Sequence, residues 1–195
     1  MRAGLLAPAT AAGLIAALAG CSDNQADGES EAAATSMPQA STATLATLIA
    51  ADAQLSASAH LLVRTGLIQV FDGAGSYTML VPTDGAVAAS GEQGGRWQAP
   101  ERRSAAAAML REHILPGYIT PDDIEAAIAR APDGAVTMHA LGSRTIRFRK
   151  LRGRLVAIDE AGRMAPIGDE ALLGSNGVAL PLDRILGDPA DTPAQ

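Results

Sequence analysis

A short apolar stretch that ends in a proline and a helix cap constrains the fold of this chain more than any other feature. Residues Thr78–Val81 have the composition of a β-strand, and Pro82 follows them, which has no amide to donate and keeps the preceding residue extended. Thr83 then stands where a helix N-cap belongs, and Asp84 lies in the first turn, where the helix dipole favours an anion. The stretch predicts a strand that runs directly into a capped helix at the centre of a packed domain.

Helices are expected before and after this strand, and strands are expected in the C-terminal third. Apolar residues recur at helical spacing in the first two thirds of the domain, whereas they alternate with basic residues between Arg144 and Lys150. Asp122 and Asp123 follow Thr120 and a proline, which is the pattern of capping acids in a first helical turn rather than of a catalytic pair. The predicted elements are helices between Thr42 and Gly66, from Ser104 to Ile114 and after Thr120, a polar loop over Ser90–Arg103, and strands at Val136–His139, Arg144–Lys150, Arg154–Asp159, Arg163–Ile167 and Asn176–Ile185.

Two later segments, His113–Gly117 and Asn176–Ile185, accompany the central stretch. In this order and spacing the three segments resemble the motifs of the fasciclin-like domain family, over about Thr42 to Gly187. The resemblance implies an α+β fold, a mostly antiparallel β-wedge with helices packed on it and a helical region before it. The positions that match the family motifs are Thr78, Pro82, Thr83, Asp84, His113, Asn176, Gly177 and Asp183.

The chain departs from the family pattern at two informative places. Glu112 replaces the tyrosine that usually precedes the motif histidine, and this tyrosine–histidine pair has been tied to integrin-type adhesion in animal members. In the third motif Leu180 and Pro181 replace histidine and valine. Because Pro181 removes a backbone donor, we expect that strand to lie at a sheet edge or to be broken there.

Two single residues allow either a structural or a binding interpretation. Trp97 is the only tryptophan and falls in the predicted polar loop, where it either covers the edge of the core or anchors a ligand. His113 shares an apolar helical face with Leu110 and Ile114. We expect Trp97 to cover the core and His113 to be a hydrogen-bonded structural histidine rather than a ligand contact.

The N-terminus predicts an export signal. A positive start at Met1-Arg2 precedes the apolar residues Ala3–Ala19, and small residues stand directly before Cys21. Leu18–Cys21 resembles the bacterial lipoprotein box, which implies a diacylglycerol on the Cys21 thiol; the alternative is an ordinary signal peptide or a membrane helix with an incidental cysteine. Ser22 at the next position points to the outer membrane of the bacterial cell envelope.

This interpretation divides the chain into four parts. We expect a lipoprotein signal peptide over residues 1–20, a lipidated flexible tether over residues 21–41, a fasciclin-like domain over residues 42–187 and a disordered tail over residues 188–195. The tether contains mostly small and polar residues, so it cannot bury enough apolar area to offset the entropy of ordering.

Charge and residue content limit the classes of function. A net charge of -6 argues against general nucleic-acid binding, because the phosphate backbone repels an acidic surface. A single cysteine excludes an intrachain disulfide and thiolate clusters, and the three histidines lack metal-ligand spacing. We therefore expect no cofactor, no metal and no catalysis.

Basic residues concentrate between Arg144 and Arg154, with no acid among them. Arginine side chains suit the recognition of anionic polymers or lipid headgroups, and the candidate residues for this are Arg147, Arg149, Arg152 and Arg154. The other interpretation is a charged sheet edge that prevents strand-to-strand aggregation, which we favour.

The leading functional hypothesis is a lipid-anchored, non-catalytic binding or adhesion module of the cell envelope. It would contact the membrane through its lipid and, through its domain, envelope or extracellular proteins or an anionic polysaccharide. A carrier of a small hydrophobic ligand such as a lipid or pigment is the alternative, because some relatives of the family hold such ligands. An enzyme is the third hypothesis.

Overall fold

A computed structural model describes residues 41–187, so the predicted signal peptide, nearly all of the tether and the predicted tail lie outside the described residues. The helices are α1 (Leu45–Ala51), α2 (Ser56–Thr65), α3 (Asp84–Ala89), α4 (Glu92–Trp97), α5 (Arg103–Arg111) and α6 (Pro121–Arg130), with 3-10 turns at Leu67–Phe71 and Pro100–Arg102. The strands are β1 (Tyr77–Pro82), β2 (Ile114–Pro116), β3 (Ala135–His139), β4 (Thr145–Leu151), β5 (Arg154–Ile158), β6 (Met164–Pro166), β7 (Leu172–Gly174) and β8 (Gly177–Leu182). In this part of the chain no helix has the length and apolar content needed to cross a membrane.

The strands of this region form two four-stranded sheets. The first sheet has the order β2-β1-β8-β7, and the second has the order β3-β4-β5-β6. Strands β1 and β8 run parallel, with Tyr77 opposite Gly177 and Pro82 opposite Leu182, whereas the other pairs are antiparallel. The fold is therefore α+β and mostly antiparallel, as expected, with one parallel pair at the centre of the first sheet.

Both faces of the first sheet are buried. Successive residues of β1 and β8 point to opposite sides of the sheet, and a core lies on each side. Met79 and Val81 pack with the helices α1, α2 and α5 in one core. Leu80 and Leu180 pack with the second sheet and α6 in another core. The central apolar stretch of the sequence thus separates two cores, which explains why it is apolar at every position from Met79 to Val81 rather than at alternate positions.

The N-terminal ends of helices α2 and α3 lie beside each other directly after β1. Thr83 caps α3 by accepting a hydrogen bond from the Ala86 amide at 3.1 Å, as expected. The Asp84 carboxylate accepts from the Ala57 amide at 2.8 Å, in the first turn of α2, whose own N-cap residue Leu55 makes no side-chain cap. Asp84 therefore stabilises the start of a helix that lies about 30 positions earlier in the chain.

The region around His113 differs from the prediction of a helix from Ser104 to Ile114. Helix α5 begins at Arg103 and ends at Arg111, and Ile114 belongs to β2. The His113 carbonyl accepts from the Leu80 amide at 2.8 Å, which starts the pairing of this segment with β1. Sheet hydrogen bonds to β1 replace the last turn of the expected helix.

The predicted polar loop over Ser90–Arg103 is also wrong, because it contains α4 and a 3-10 turn. Trp97 ends α4 and is only 2 % exposed, within the helical core. It completes the core as expected, although it does so from a helix rather than from a loop.

Pro181 lies in an inner strand, so the expectation of an edge or a broken strand is wrong. Strand β8 has β1 on one side and β7 on the other. The pairing with β7 reaches only as far as Leu172 opposite Ala179, and beyond it the Pro181 carbonyl accepts from the Gly168 amide at 2.8 Å. Among the described residues, an isolated bridge between Ile167 and Leu182 is all that continues the pairing on this side, so Pro181 lies beyond the β7–β8 ladder and does not interrupt it.

Candidate functional site

Three of the motif residues, Thr78, Asn176 and Gly177, lie where β1 and β8 begin, and the Asn176 side chain makes three hydrogen bonds there. Its amide oxygen accepts from the Leu45 amide at 2.8 Å, at the start of α1. Its amide nitrogen donates to the carbonyls of Phe71 at 2.7 Å and Gly73 at 2.8 Å. One side chain therefore joins three segments that are far apart in the sequence.

The next motif glycine allows a close approach of backbones. A Cβ on Gly177 would lie 2.4 Å from the Tyr77 carbonyl oxygen and 2.9 Å from a methyl group of Leu45. Only glycine therefore fits between β1 and α1 at this position.

Thr78 fixes the segment that follows β2. Its hydroxyl donates to the Gly117 carbonyl at 2.9 Å and accepts from the Ile119 amide at 2.8 Å, and the side chain is fully buried. These bonds satisfy backbone groups in a non-repetitive segment between β2 and α6, which would otherwise be buried without partners.

His113 is fully buried and uses both ring nitrogens on backbone groups. Its Nδ1 lies 3.0 Å from the Met109 carbonyl oxygen, and its Nε2 accepts from the Leu186 amide at 3.3 Å. Since a carbonyl can only accept, Nδ1 carries the proton and the ring is neutral. Burial lowers the pKa of His113 and outweighs the hydrogen bond to Met109, which raises it.

A second titratable side chain holds the next residue of the same segment. The Asp159 carboxylate accepts from the Gly187 amide at 3.1 Å and pairs with Arg163 at 2.7 Å. Burial raises the pKa of Asp159, but the hydrogen bonds from Arg163 and Gly187 outweigh burial and hold it below its usual value. The chain leaving β8 is therefore fixed by an imidazole and a carboxylate at consecutive amides.

The contacts of the motif residues are mostly internal to the domain. The polar side chains at Thr78, Thr83, Asp84, His113 and Asn176 bind backbone groups, which is a structural use of a sequence signature. Only the motif residue Asp183 is exposed, in an ion pair with Arg154 at 3.2 Å. Among residues 41–187 no cluster of three histidine, cysteine, aspartate or glutamate side chains is arranged to hold a metal ion.

The chain belongs to the fasciclin domain family, whose model matches residues 53–188. Domains of this family are generally non-catalytic and are commonly associated with adhesion. The structure is also similar to that of a FAS1 domain pair from the insect cell adhesion molecule fasciclin I, with a TM-score of 0.67 and 15 % sequence identity. The match covers 76 % of this chain and 52 % of that one, so this chain spans about half the length of the insect structure. No curated protein sequence matches this chain.

The basic residues between Arg144 and Arg154 lie on the β4–β5 hairpin, and acids from other segments pair with several of them. Arg147 pairs with Asp133 at 2.6 Å, and Lys150 pairs with Glu125 of α6 at 2.8 Å. The segment itself lacks acids, but the fold supplies them, which sequence spacing alone could not show.

The hypothesis of a protected sheet edge is wrong. Strands β4 and β5 are the two inner strands of the second sheet, so they have no free edge to protect.

Arg152 is exposed in the two-residue turn, at a φ of 52° that is uncommon outside glycine, and Gly153 follows at a φ of 82°.

The sequence analysis did not identify the mixed character of the outer face of the second sheet. Arg147, Ile158 and Met164 lie side by side in one row across β4, β5 and β6. Arg149, Val156 and Pro166 form the adjacent row. We call these six residues the arginine–apolar face. A two-residue turn at Arg152-Gly153 would have predicted this register, since it pairs residues at equal distances from the turn.

Two clefts flank the loop between β6 and β7. The larger has a volume of about 560 Å³ and lies between the start of α6 and Asp169–Leu173. The other, of about 400 Å³, shares Asp169, Glu170 and Leu172 and extends to Asp52 and Asp183. Both clefts combine carboxylates with a few apolar side chains.

Proposed function

We propose that this protein is a non-catalytic binding or adhesion module, held at the bacterial cell envelope by a lipid on Cys21 and contacting a protein or an anionic surface polymer through its domain. The observation that carries the proposal is that the motif side chains hold backbone groups inside the domain. Because these side chains are occupied inside the domain, other residues at its surface would make the contacts with a partner.

The lipid anchor is supported by Leu18–Cys21 and by the absence of any other thiol in the sequence. Each buried methylene contributes about 0.8 kcal/mol to membrane binding, so two or more acyl chains hold a protein firmly. We expect Cys21→Ser to move the protein from the membrane fraction to the soluble fraction, while Ser22→Ala leaves it in the membrane fraction. If Cys21→Ser stays in the membrane fraction after a carbonate wash, a membrane-spanning N-terminal helix replaces the lipid anchor.

The location at the outer membrane has its own test, because the residue after the cysteine directs sorting. Ser22→Asp should move the lipidated protein from the outer to the inner membrane, as seen by density-gradient separation of the two membranes. An unchanged distribution would remove the support that Ser22 gives to the outer-membrane location.

Adhesion is tested with the purified full chain in detergent micelles. We expect it to retain envelope polysaccharides or outer-membrane proteins on a column, and we expect cells that display it to aggregate more than cells with the Cys21→Ser variant. If neither retention nor aggregation is observed, the adhesion proposal is wrong.

The larger cleft favours a second candidate function, the carriage of a small hydrophobic ligand. Its volume of about 560 Å³ falls within the range of ligand sites, and Ala171, Leu172 and Leu173 supply apolar lining. A ligand that co-purifies with the parent protein, identified by native mass spectrometry and lost in Leu173→Asp, would support a carrier. A native mass equal to that of the mature, lipidated chain alone would exclude a carrier.

A further inference from the structure

We propose that the arginine–apolar face is the docking surface of the domain and that its partner is a protein segment with carboxylates beside apolar side chains. This inference deepens the proposed function, on which it rests, by naming the surface and the chemical class of the partner. The arrangement of the two rows on the second sheet carries the proposal.

The face combines charge and apolar area in register. In each row an arginine of β4 lies next to an aliphatic residue of β5, and Arg149 is directly opposite Val156 while Arg147 is opposite Ile158. On β6 the rows continue with Pro166 and with Met164, which is 50 % exposed. Arginine and methionine are enriched where proteins bind one another, and the solvated face of an antiparallel sheet is commonly polar.

This face is the outer one. Helix α6, which contacts β3 and β4, places Ile124 and Ile128 in the core with Phe148 of β4. Phe148 precedes Arg149 and therefore points to the opposite side of the sheet. Because β4 and β5 are inner strands, the arginines do not serve to block a free strand edge.

Arg149 is held in a position that it can leave at little cost. Its Nε is buried and has no hydrogen-bond acceptor among the described residues. Val156, its direct neighbour across the strand pair, is only 5 % exposed although it lies on the outer face. If Arg149 moves towards a carboxylate, it gains an acceptor for a donor that now has none.

Arg147 is also available to a partner. Its ion pair with Asp133 is exposed, with 46 % of the arginine side chain and 61 % of the aspartate side chain accessible to solvent. Exposed pairs of this kind contribute only about 0–1 kcal/mol, so a carboxylate of a partner can replace Asp133 at little cost.

The depth of the apolar residues favours a protein segment over a membrane or a polysaccharide. Val156 is covered, and Ile158 and Pro166 are half-buried, so they do not project as residues that insert into a bilayer do. An anionic polysaccharide would contact the arginines and leave the apolar residues Ile158, Met164 and Pro166 unused. A peptide whose side chains alternate between carboxylate and apolar groups contacts the arginines and these apolar residues at once.

The proposal is tested with a display library of random nine-residue peptides, selected on the full chain in detergent micelles. We expect enriched peptides to carry acids beside apolar residues. For the selected peptides, Arg149→Gln should weaken binding at least about tenfold and Met164→Ser at least about fivefold, as measured by fluorescence anisotropy. Higher salt should weaken binding as well, since carboxylates are part of the contact.

The helices offer matched control variants. Arg96→Gln removes an exposed, ion-paired arginine in α4, and Val63→Ser removes an apolar residue of α2 that is 58 % exposed. Each should change peptide affinity less than about twofold. Equal thermal melting of all four variants and the parent would show that the differences come from binding rather than from folding.

Several outcomes would overturn the proposal. The first is that no peptides are enriched, and the second is that the Arg149→Gln variant binds the selected peptides as tightly as the parent protein. The third is that the enriched peptides are purely acidic and bind the Met164→Ser variant as tightly as the parent protein. The protein could instead co-sediment with vesicles of 30 % phosphatidylglycerol in phosphatidylcholine, in a manner that requires Arg149, and bind no peptide. That result would show that the face binds a lipid surface rather than a protein segment. Cell aggregation that persists in Arg149→Gln would reject this surface while leaving the adhesion function intact.

Discussion

Replacing His113 with alanine removes the hydrogen-bond partners of two buried backbone groups at once. The Met109 carbonyl and the Leu186 amide both lose their contact with the ring. A buried polar group left without a partner costs about 1–3 kcal/mol, and the cavity left by the ring adds to this. We expect His113→Ala to lower the free energy of unfolding by about 2–5 kcal/mol, measured by urea denaturation monitored by the fluorescence of Trp97, which is buried in the helical core.

The pH dependence of stability gives a second measurement of the same residue. The pKa of His113 in the folded protein is lowered from its usual value of 6.5, so below about pH 6.5 the unfolded chain binds a proton that the folded chain does not. Stability should therefore fall as the pH decreases below about 6.5, by up to about 1.4 kcal/mol per pH unit. His113→Gln should remove this dependence above pH 5. The Asp159 contribution is lost only below about pH 4, because the pKa of that carboxyl is lowered from 3.8.

The two other histidines provide the control. His60 and His139 are exposed, so alanine at either position should change the unfolding free energy by less than about 0.5 kcal/mol. The reasoning fails if His113→Ala unfolds at the same urea concentration as the parent, or if His113→Gln keeps the full pH dependence. Either result would mean that the ring does not hold the Leu186 amide.

Three further variants and one control variant test the other structural positions by thermal and urea denaturation. Asn176→Ala leaves three backbone groups without partners and should destabilise the fold by about 2–4 kcal/mol; a loss below about 1 kcal/mol would contradict the role of Asn176. Gly177→Ala should cost at least about 3 kcal/mol, because its Cβ meets the Tyr77 carbonyl, whereas Gly95→Ala in α4 has open space and should be neutral or stabilising. Arg152→Asn should raise stability by about 0.5–1 kcal/mol, since asparagine tolerates the left-handed turn better, and no gain would show that the turn is unstrained.

Local chemistry predicted the parts of the fold that depend on a few neighbouring residues. The cap at Thr83, the capping acids that follow Thr120 and the end of the helical region at Gly66 were all predicted from residue type and spacing. The alternation of Ile146 and Phe148 with arginines likewise gave the two faces of β4. In each case the relevant partners lie within four positions of one another.

The errors occurred where a distant partner decided the outcome. Ile114 has the composition to continue α5, but β1 offers it sheet hydrogen bonds. Pro181 appeared incompatible with an inner strand, but the end of β7 lies in a segment whose pairing no short pattern reveals. The candidate site follows the same rule, because the acids that pair with Arg147 and Lys150 come from other segments.

The location of the motif residues also explains why membership of the family does not identify a partner. Thr78, Asn176 and Gly177 act on the first sheet and on the helices packed against it, with both faces of that sheet buried. Among the described residues these three share no hydrogen bond with the arginine–apolar face, and the motif residue Asp183 bonds to it through its backbone amide, which donates to the Pro166 carbonyl at 3.0 Å. Side-chain substitutions on that face can therefore change binding without loss of the fold. Residues such as Arg149 and Met164 are therefore free to differ between proteins that share the three motifs. It follows that the partner has to be determined by binding experiments on surface residues, rather than from the residues that define the family.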